Sequence, residues 1–238
     1  MANAWTKGAA AGVARTLAPK APGLAPGLTE TFVREALHRA IHGIGPLKPA
    51  AHAAEEQLRE QRGNRDKAVR EVIENNVMHA SVEGFVTNLG GLVAAAVTAP
   101  ANIAAVTIIQ SRMVAGIAHL RGYDLADPRV GNAITVTLLG EDSVAALLRA
   151  RRIPAPPMAI ATAPVLDPDM DKLVAGVLAG ELITRVVGKR MVTTVGRKVP
   201  LLGGGVGMVT DGLATYKIGR YAARELRPRT AGLLSRAG

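Results

Sequence analysis

The chain has 238 residues, enough for one sizeable hydrophobic core or two small ones. Hydrophobic residues make up 48% but aromatics only 3%, so Ala, Val, Leu and Ile must do the packing, and a nucleic-acid surface built on stacking rings is disfavoured. The absence of cysteine excludes disulfides, thiolate zinc sites, iron–sulfur clusters and a cysteine nucleophile, while a net charge of +10 points toward anionic partners.

Residues 1–28 contain Pro19, Pro22 and Pro26 with Gly23 and Gly27, and read as a flexible N-terminal lead. Lys7, Arg15 and Lys20 lie there without a sustained apolar run, so no cleavable secretory signal is expected. Thr29 is placed to cap a helix whose apolar positions Phe32, Val33, Ala36, Leu37, Ala40 and Ile41 have helical spacing. Gly43, Gly45 and Pro46 end it. A polar helix over 50–61 follows, then a longer one from Asp66 carrying Val69, Val72, Ile73, Val77 and Ala80.

Residues 84–111 are twenty-eight positions without a charged side chain, broken near the middle by Pro100 and closed by Arg112. A transmembrane helix needs about 20 predominantly apolar residues. Pro100 leaves two shorter pieces, and Asn88, Asn102 and Gln110 would need partners in lipid. A buried, Ala/Gly-rich helical hairpin at the centre of the domain is therefore favoured over a bilayer span. In its second arm Ile103, Val106, Gln110, Met113, Ile117 and Leu120 recur at three- and four-residue steps, which predicts one stripe facing a partner helix.

Gly122 suits the C′ position of that helix, and Asp127-Pro128 offers an N-cap and an N1 proline for the next, which ends near Gly140. Asp142 or Ser143 then starts a helix ending at the basic cluster 149–152. Residues 153–168 hold five prolines and read as an apolar loop packed over the core. Asp167 or Asp169 caps a helix to about Val187, after which the chain is expected to be irregular or briefly helical. Val199-Pro200 introduces the last long helix, to about Leu226. Gly203 and Gly207, like Gly176 and Gly180, have the spacing that permits close helix crossing. Met208-Val209-Thr210 stand where a phosphate loop needs Lys and Ser or Thr, which argues against a nucleotide site. The expected fold is all-α: a compact multi-helix bundle with a single domain over 29–226 and a basic flexible tail over 227–238.

Two motifs together resemble the EcsC family of bacterial proteins. The first is Pro100, an apolar helix bearing Arg112, then Ile117-Ala118 and Gly122-Tyr123-Asp124-Leu125-x-Asp127-Pro128. The second is Val199-Pro200-Leu201-Leu202-Gly203-Gly204-Gly205-Val206-Gly207, followed by Asp211, Tyr216, Ile218-Gly219 and Tyr221-Ala222. They bracket about residues 66–226, and Arg224-Glu225-Leu226 departs from the aromatic that often ends the family's last helix. The resemblance implies a compact helical protein beside, or regulating, membrane transport and secretion systems. It implies no catalytic mechanism.

Charge is unevenly spread: residues 1–70 carry +5, residues 71–180 carry −3 and residues 181–238 carry +8. Arg185, Lys189, Arg190, Arg197 and Lys198, with Lys217, Arg220 and Arg224 along the last helix, form a candidate membrane- or anion-contact surface. Arg112 lies inside an apolar helix pattern and requires a carboxylate or carbonyl partner, with Glu83 and Asp211 as candidates; the alternative is a lipid phosphate or another anion. Asp124, Asp127, Glu141 and Asp142 form a local acidic group. Its simplest reading is structural, with Asp127 and Asp142 capping helices and Asp124 bracing the turn against Arg121 or Arg112. His38 and His42 share a helix face beside Glu35 but lack the Glu of a hydrolytic zinc helix, because position 39 is Arg.

No catalytic residue, cofactor site or metal site is assigned. The expected function is that of a non-enzymatic, EcsC-like accessory or scaffold protein. It would be cytoplasmic and peripheral at the inner face of the plasma membrane, docking through its basic C-terminal surface on anionic lipid or a membrane protein. The hairpin over 84–111 would hold an apolar ligand or a partner helix. The alternatives are a hydrolase using the acids of 124–142, recognisable by their convergence in a cleft, and a self-assembling homo-oligomer; nucleic acid is the least favoured partner.

Overall fold

The computed structural model describes residues 29–43, 47–81, 101–196 and 205–229; side chains at 81, 101–103, 185–196 and 205–211 lie outside the description. The described residues form nine helices, α1 Glu30–His42, α2 Ala50–Glu60, α3 Arg65–Ser81, α4 Ala101–Leu120, α5 Pro128–Thr137, α6 Glu141–Arg149, α7 Pro157–Ala161, α8 Met170–Gly196 and α9 Gly205–Glu225. There is no β-strand among them. The fold is an all-α bundle, as the periodicity implies.

The organising element is α4. It packs against α1, α2, α3, α5 and α9. From Ala104 to Leu120 every residue is buried except Val106 and Arg112, which are partly so. The expectation of a single contact stripe is therefore corrected, since a helix that is apolar all round belongs in the middle of a bundle. The described part of the uncharged run, from 101 onward, is this central helix; its first arm and Pro100 lie outside the described residues.

Small residues bring the neighbouring backbones close. A Cβ on Gly116 would lie 3.4 Å from Val72 of α3 and 3.5 Å from Ala54 of α2. The helix α2 meets that surface with Ala50 and Ala54, each 1% exposed. On the other side, a Cβ on Gly219 of α9 would sit 2.9 Å from Ile73 and 3.0 Å from Met113. Gly176 and Gly180 divide: a Cβ on Gly176 would lie 2.9 Å from the Glu30 side chain of α1, whereas nothing lies within 4 Å of a Cβ on Gly180.

Helix ends follow local chemistry. Thr29 Oγ1 accepts from Phe32 N at 3.2 Å and caps α1. Gly122, at φ +86°, ends α4: its N–H reaches His119 O at 2.9 Å and Tyr123 N reaches Ala118 O at 3.0 Å, the paired bonds of a Schellman turn. Asp127 caps α5, with Pro128 at its first position.

Three expectations about boundaries are corrected. The N-cap of α6 is Gly140 rather than Asp142, which lies in the first turn where its charge still favours the dipole. The helix α8 runs to Gly196, well past Val187. The proline-rich segment is not only a loop, because Pro157 starts the short α7, whose Met158 N donates to Glu225 Oε1 at 3.3 Å. Ile153 and Ile160 of that segment pack into the core, but Val165 and Leu166 are 75% and 44% exposed. Asp167 does work at the start of α8, accepting from Asp169 N at 2.9 Å.

Candidate functional site

The surface with the most functional content among the described side chains is the outer face of α9. A helical turn of 3.6 residues places positions 213, 216, 217, 220 and 224 on one stripe. Leu213 is 53% exposed and Tyr216 43%, and Lys217, Arg220 and Arg224 are exposed beside and beyond them. The opposite face of α9 buries Thr215, Ile218, Tyr221 and Ala222 against α3 and α4. The apolar side opposite the cations is thus used by the core, and the exposed stripe carries its own apolar residues.

Of the three cations on this stripe, Arg224 pairs with Glu141 of α6. Among the described residues neither Lys217 nor Arg220 is held in an ion pair. Arg185, Lys189 and Arg190 lie on α8 with side chains outside the description, as does the side-chain environment of Gly207 on α9. Arg197, Lys198, Gly203 and Pro100 lie outside the described residues altogether.

A second polar concentration surrounds Arg112. Its Nε donates to the carbonyl of Lys48, just before α2, at 3.1 Å. The partner is a backbone carbonyl at the start of α2 rather than a carboxylate; Glu83 lies outside the described residues and the Asp211 side chain outside the description. Burial holds the Arg112 pKa below its ordinary value, with the nearby Glu56 carboxylate opposing that shift. Glu56 is itself committed elsewhere, its Oε1 lying 2.6 Å from Lys48 Nζ and 3.3 Å from His52 Nε2. The Lys48 hydrogen bond is the main reason the Glu56 pKa falls below the usual range. His79 of α3 is held below the ordinary imidazole value, first by burial and then by the charge of Arg112. Two turns along α4, His119 Nε2 lies 2.7 Å from Glu55 Oε1.

The acids of 124–142 are each engaged separately. Asp124 Oδ1 accepts from Ala126 N at 2.9 Å, closing its own turn. It does not brace Arg121, whose Nη1 reaches Asp66 at 2.8 Å. Asp127 caps α5 through Arg129 N at 2.9 Å and also pairs with the Arg129 guanidinium at 2.7 Å. Glu141 goes to Arg224, and Asp142 is exposed. This is the helix-end arrangement, and it gives the hydrolase alternative no support.

The His38 and His42 rings stack at 4.2 Å, and Glu35 turns to Arg39 at 2.6 Å rather than toward them. Among the described residues no three His, Cys, Asp or Glu side chains are grouped as metal ligands, and no helix is long and apolar enough to cross a membrane.

Sequence spacing marked Arg112 as a charge inside an apolar helix, with Glu83 and Asp211 as its candidate partners. It gave no means of finding Lys48 for Arg112 or Glu55 for His119, each 64 positions away, because nothing local encodes that register. No protein-family model, no curated protein and no solved structure matches this chain.

Proposed function

We propose that this protein is a non-enzymatic accessory or scaffold protein that docks reversibly on an anionic membrane surface through the outer face of α9. One observation carries the reading. Leu213 and Tyr216 stand exposed on the same stripe as Lys217 and Arg220, and those two cations have no intramolecular counter-ion among the described residues. An interfacial helix needs this combination: apolar and amphipathic side chains entering the headgroup boundary, and basic side chains meeting lipid phosphates. The +8 charge of residues 181–238 adds long-range attraction. The resemblance to the EcsC family supports a place at the cytoplasmic face, beside membrane transport systems.

The docking is peripheral in this reading, because the described part of the uncharged run is enclosed by other helices of the bundle. Flotation with neutral phosphatidylcholine vesicles and with vesicles containing phosphatidylserine tests it. Binding should require the anionic lipid and fall with salt. Each basic residue near such a surface contributes about 1 kcal/mol, so K217Q/R220Q should weaken partitioning by roughly 30-fold. Equal absence of the protein from both vesicle types would sink the proposal.

A further inference from the structure

Two exposed histidines, His38 and His42, lie in the last turn of α1 and take no part in the α9 surface. Their four-residue spacing sets them on one helix face, where two imidazoles can share a metal ion. The structure brings the rings together, with centroids 4.2 Å apart and planes 27° from parallel.

One ring is already oriented. His42 Nδ1 lies 3.0 Å from the carbonyl oxygen of His38. A carbonyl only accepts, so Nδ1 carries the proton and the lone pair of the neutral ring is left on Nε2. Metal-binding histidines are commonly held this way: one nitrogen donates to a carbonyl, which fixes tautomer and ring, and the other binds the ion. Among the described residues, His42 Nε2 and both ring nitrogens of His38 have no hydrogen-bond or ion-pair partner.

The separation of the rings suits a chelate. With nitrogen–metal bonds of about 2.1 Å, an ion sits about 3.2 Å from each ring centre, and a right angle at the ion separates the centres by about 4.5 Å. The observed 4.2 Å is close to that. The near-parallel planes must open, and His38, whose ring no hydrogen bond holds, can turn about χ2, a broad torsion. Arg39, between the two in sequence, is turned to Glu35 at 2.6 Å, so its charge is met by a carboxylate. The carbonyl end of the α1 dipole also favours a cation at this turn.

We propose that His38 and His42 form a bidentate site for a borderline divalent transition-metal ion of the zinc, nickel and copper class. Imidazole suits these ions, whereas magnesium and calcium select oxygen ligands. No third His, Cys, Asp or Glu side chain among the described residues joins the pair, so water completes the shell and the ion stays exchangeable. The site is independent of docking through α9.

Titration of the intact protein with zinc chloride, followed by imidazole proton–nitrogen NMR, tests it. Zinc should move the His38 and His42 signals together, and magnesium should move neither. His52, His79 and His119 are internal controls and should stay in place. H38Q and H42Q should each weaken zinc binding by about 100-fold, because the second ligand on the same helix acts at high effective concentration. H52Q should bind zinc as the wild type does. The wild-type spectra need no variant to fold. If zinc moves only one of the pair, if His52 responds equally, or if H38Q or H42Q binds zinc as tightly as the wild type, the proposal is overturned.

Discussion

The hydroxyl of Tyr123 donates to the carbonyl of Arg227 at 3.0 Å, tying the turn after α4 to the chain beyond α9 across 104 positions. Arg229 completes the clasp. Its N–H reaches Arg121 O at 2.8 Å, and its guanidinium lies 5.6 Å over the Tyr123 ring. Leu226, 1% exposed, anchors the segment in the core. The ordered domain thus continues past 226, where composition alone places the start of a basic tail.

The clasp predicts a graded loss of stability. Y123F removes one hydrogen bond from a residue that is 3% exposed, and should cost about 1 kcal/mol in urea unfolding. Truncation after Leu226 removes that bond, the Arg229 backbone bond and the cation–π contact, and should cost about 2–3 kcal/mol. Equal stability of the truncated and full-length proteins would show that the contacts contribute nothing in solution.

Two glycines should respond to alanine in opposite directions. At Gly219 the new methyl would lie 2.9 Å from Ile73 and 3.0 Å from the Met113 sulfur, so G219A should overpack the α3–α4–α9 junction and destabilise by about 1–3 kcal/mol. At Gly180, inside α8, nothing lies within 4 Å, so G180A should stabilise by about 0.5–1 kcal/mol through helix propensity. Thermal melts of the pair check the assignment directly. A stabilising G219A would mean that the helices do not approach as described.

The contrast between these glycines marks what was legible in the sequence. Helix positions were readable because capping and periodicity are local: Thr29, Gly122, Asp127 and Pro128 act where their spacing places them. Which small residue meets a neighbour was not. Gly176 and Gly180 belong to one spacing pattern, yet a Cβ would be crowded at Gly176 and unopposed at Gly180, and another crowded position, Gly219, lies outside any such pattern, because helix rotation is set by the whole bundle. The candidate surface was partly legible. The cations of α9 follow from a period of 3.6, but the exposure of Leu213 and Tyr216 beside them depends on which face α3 and α4 take. The neighbours of Arg112 on α2 are set by long-range register and left no local trace.

A buried polar pair joins the central helix to the last one. Gln110 Nε2 donates to Thr215 Oγ1 at 3.0 Å, at positions 7% and 0% exposed. Breaking one side strands the other, so T215V should cost about 1–3 kcal/mol, although valine nearly preserves the shape. Converting both partners in Q110M/T215V should recover most of that loss, since no polar group is then left unpaired. A double-mutant cycle measures the coupling, expected to exceed about 0.5 kcal/mol for residues in direct contact. Additive losses would show that the two side chains do not interact.

Asp127 gives the acid limb of stability a specific contributor. The hydrogen bond from the Arg129 side chain, then the backbone N–H of Arg129 and its charge, hold the Asp127 carboxyl below its ordinary value of 3.8. A carboxyl with a depressed folded-state pKa stabilises the fold fully above its unfolded value, and that contribution fades as pH falls through the folded value. Stability assigned to Asp127 should therefore be constant near neutrality and decline below pH 3.8. D127A removes both the cap and the ion pair and should cost about 1–2 kcal/mol at pH 7. D127N keeps a capping oxygen but not the charge, so it should cost less at pH 7, and its loss relative to the wild type should shrink as pH falls below 3.8. Urea titrations of the three proteins from pH 7 to pH 3 separate the two roles. If the difference between wild type and D127N stays constant across that range, the ion pair with Arg129 is not the source of the depressed pKa.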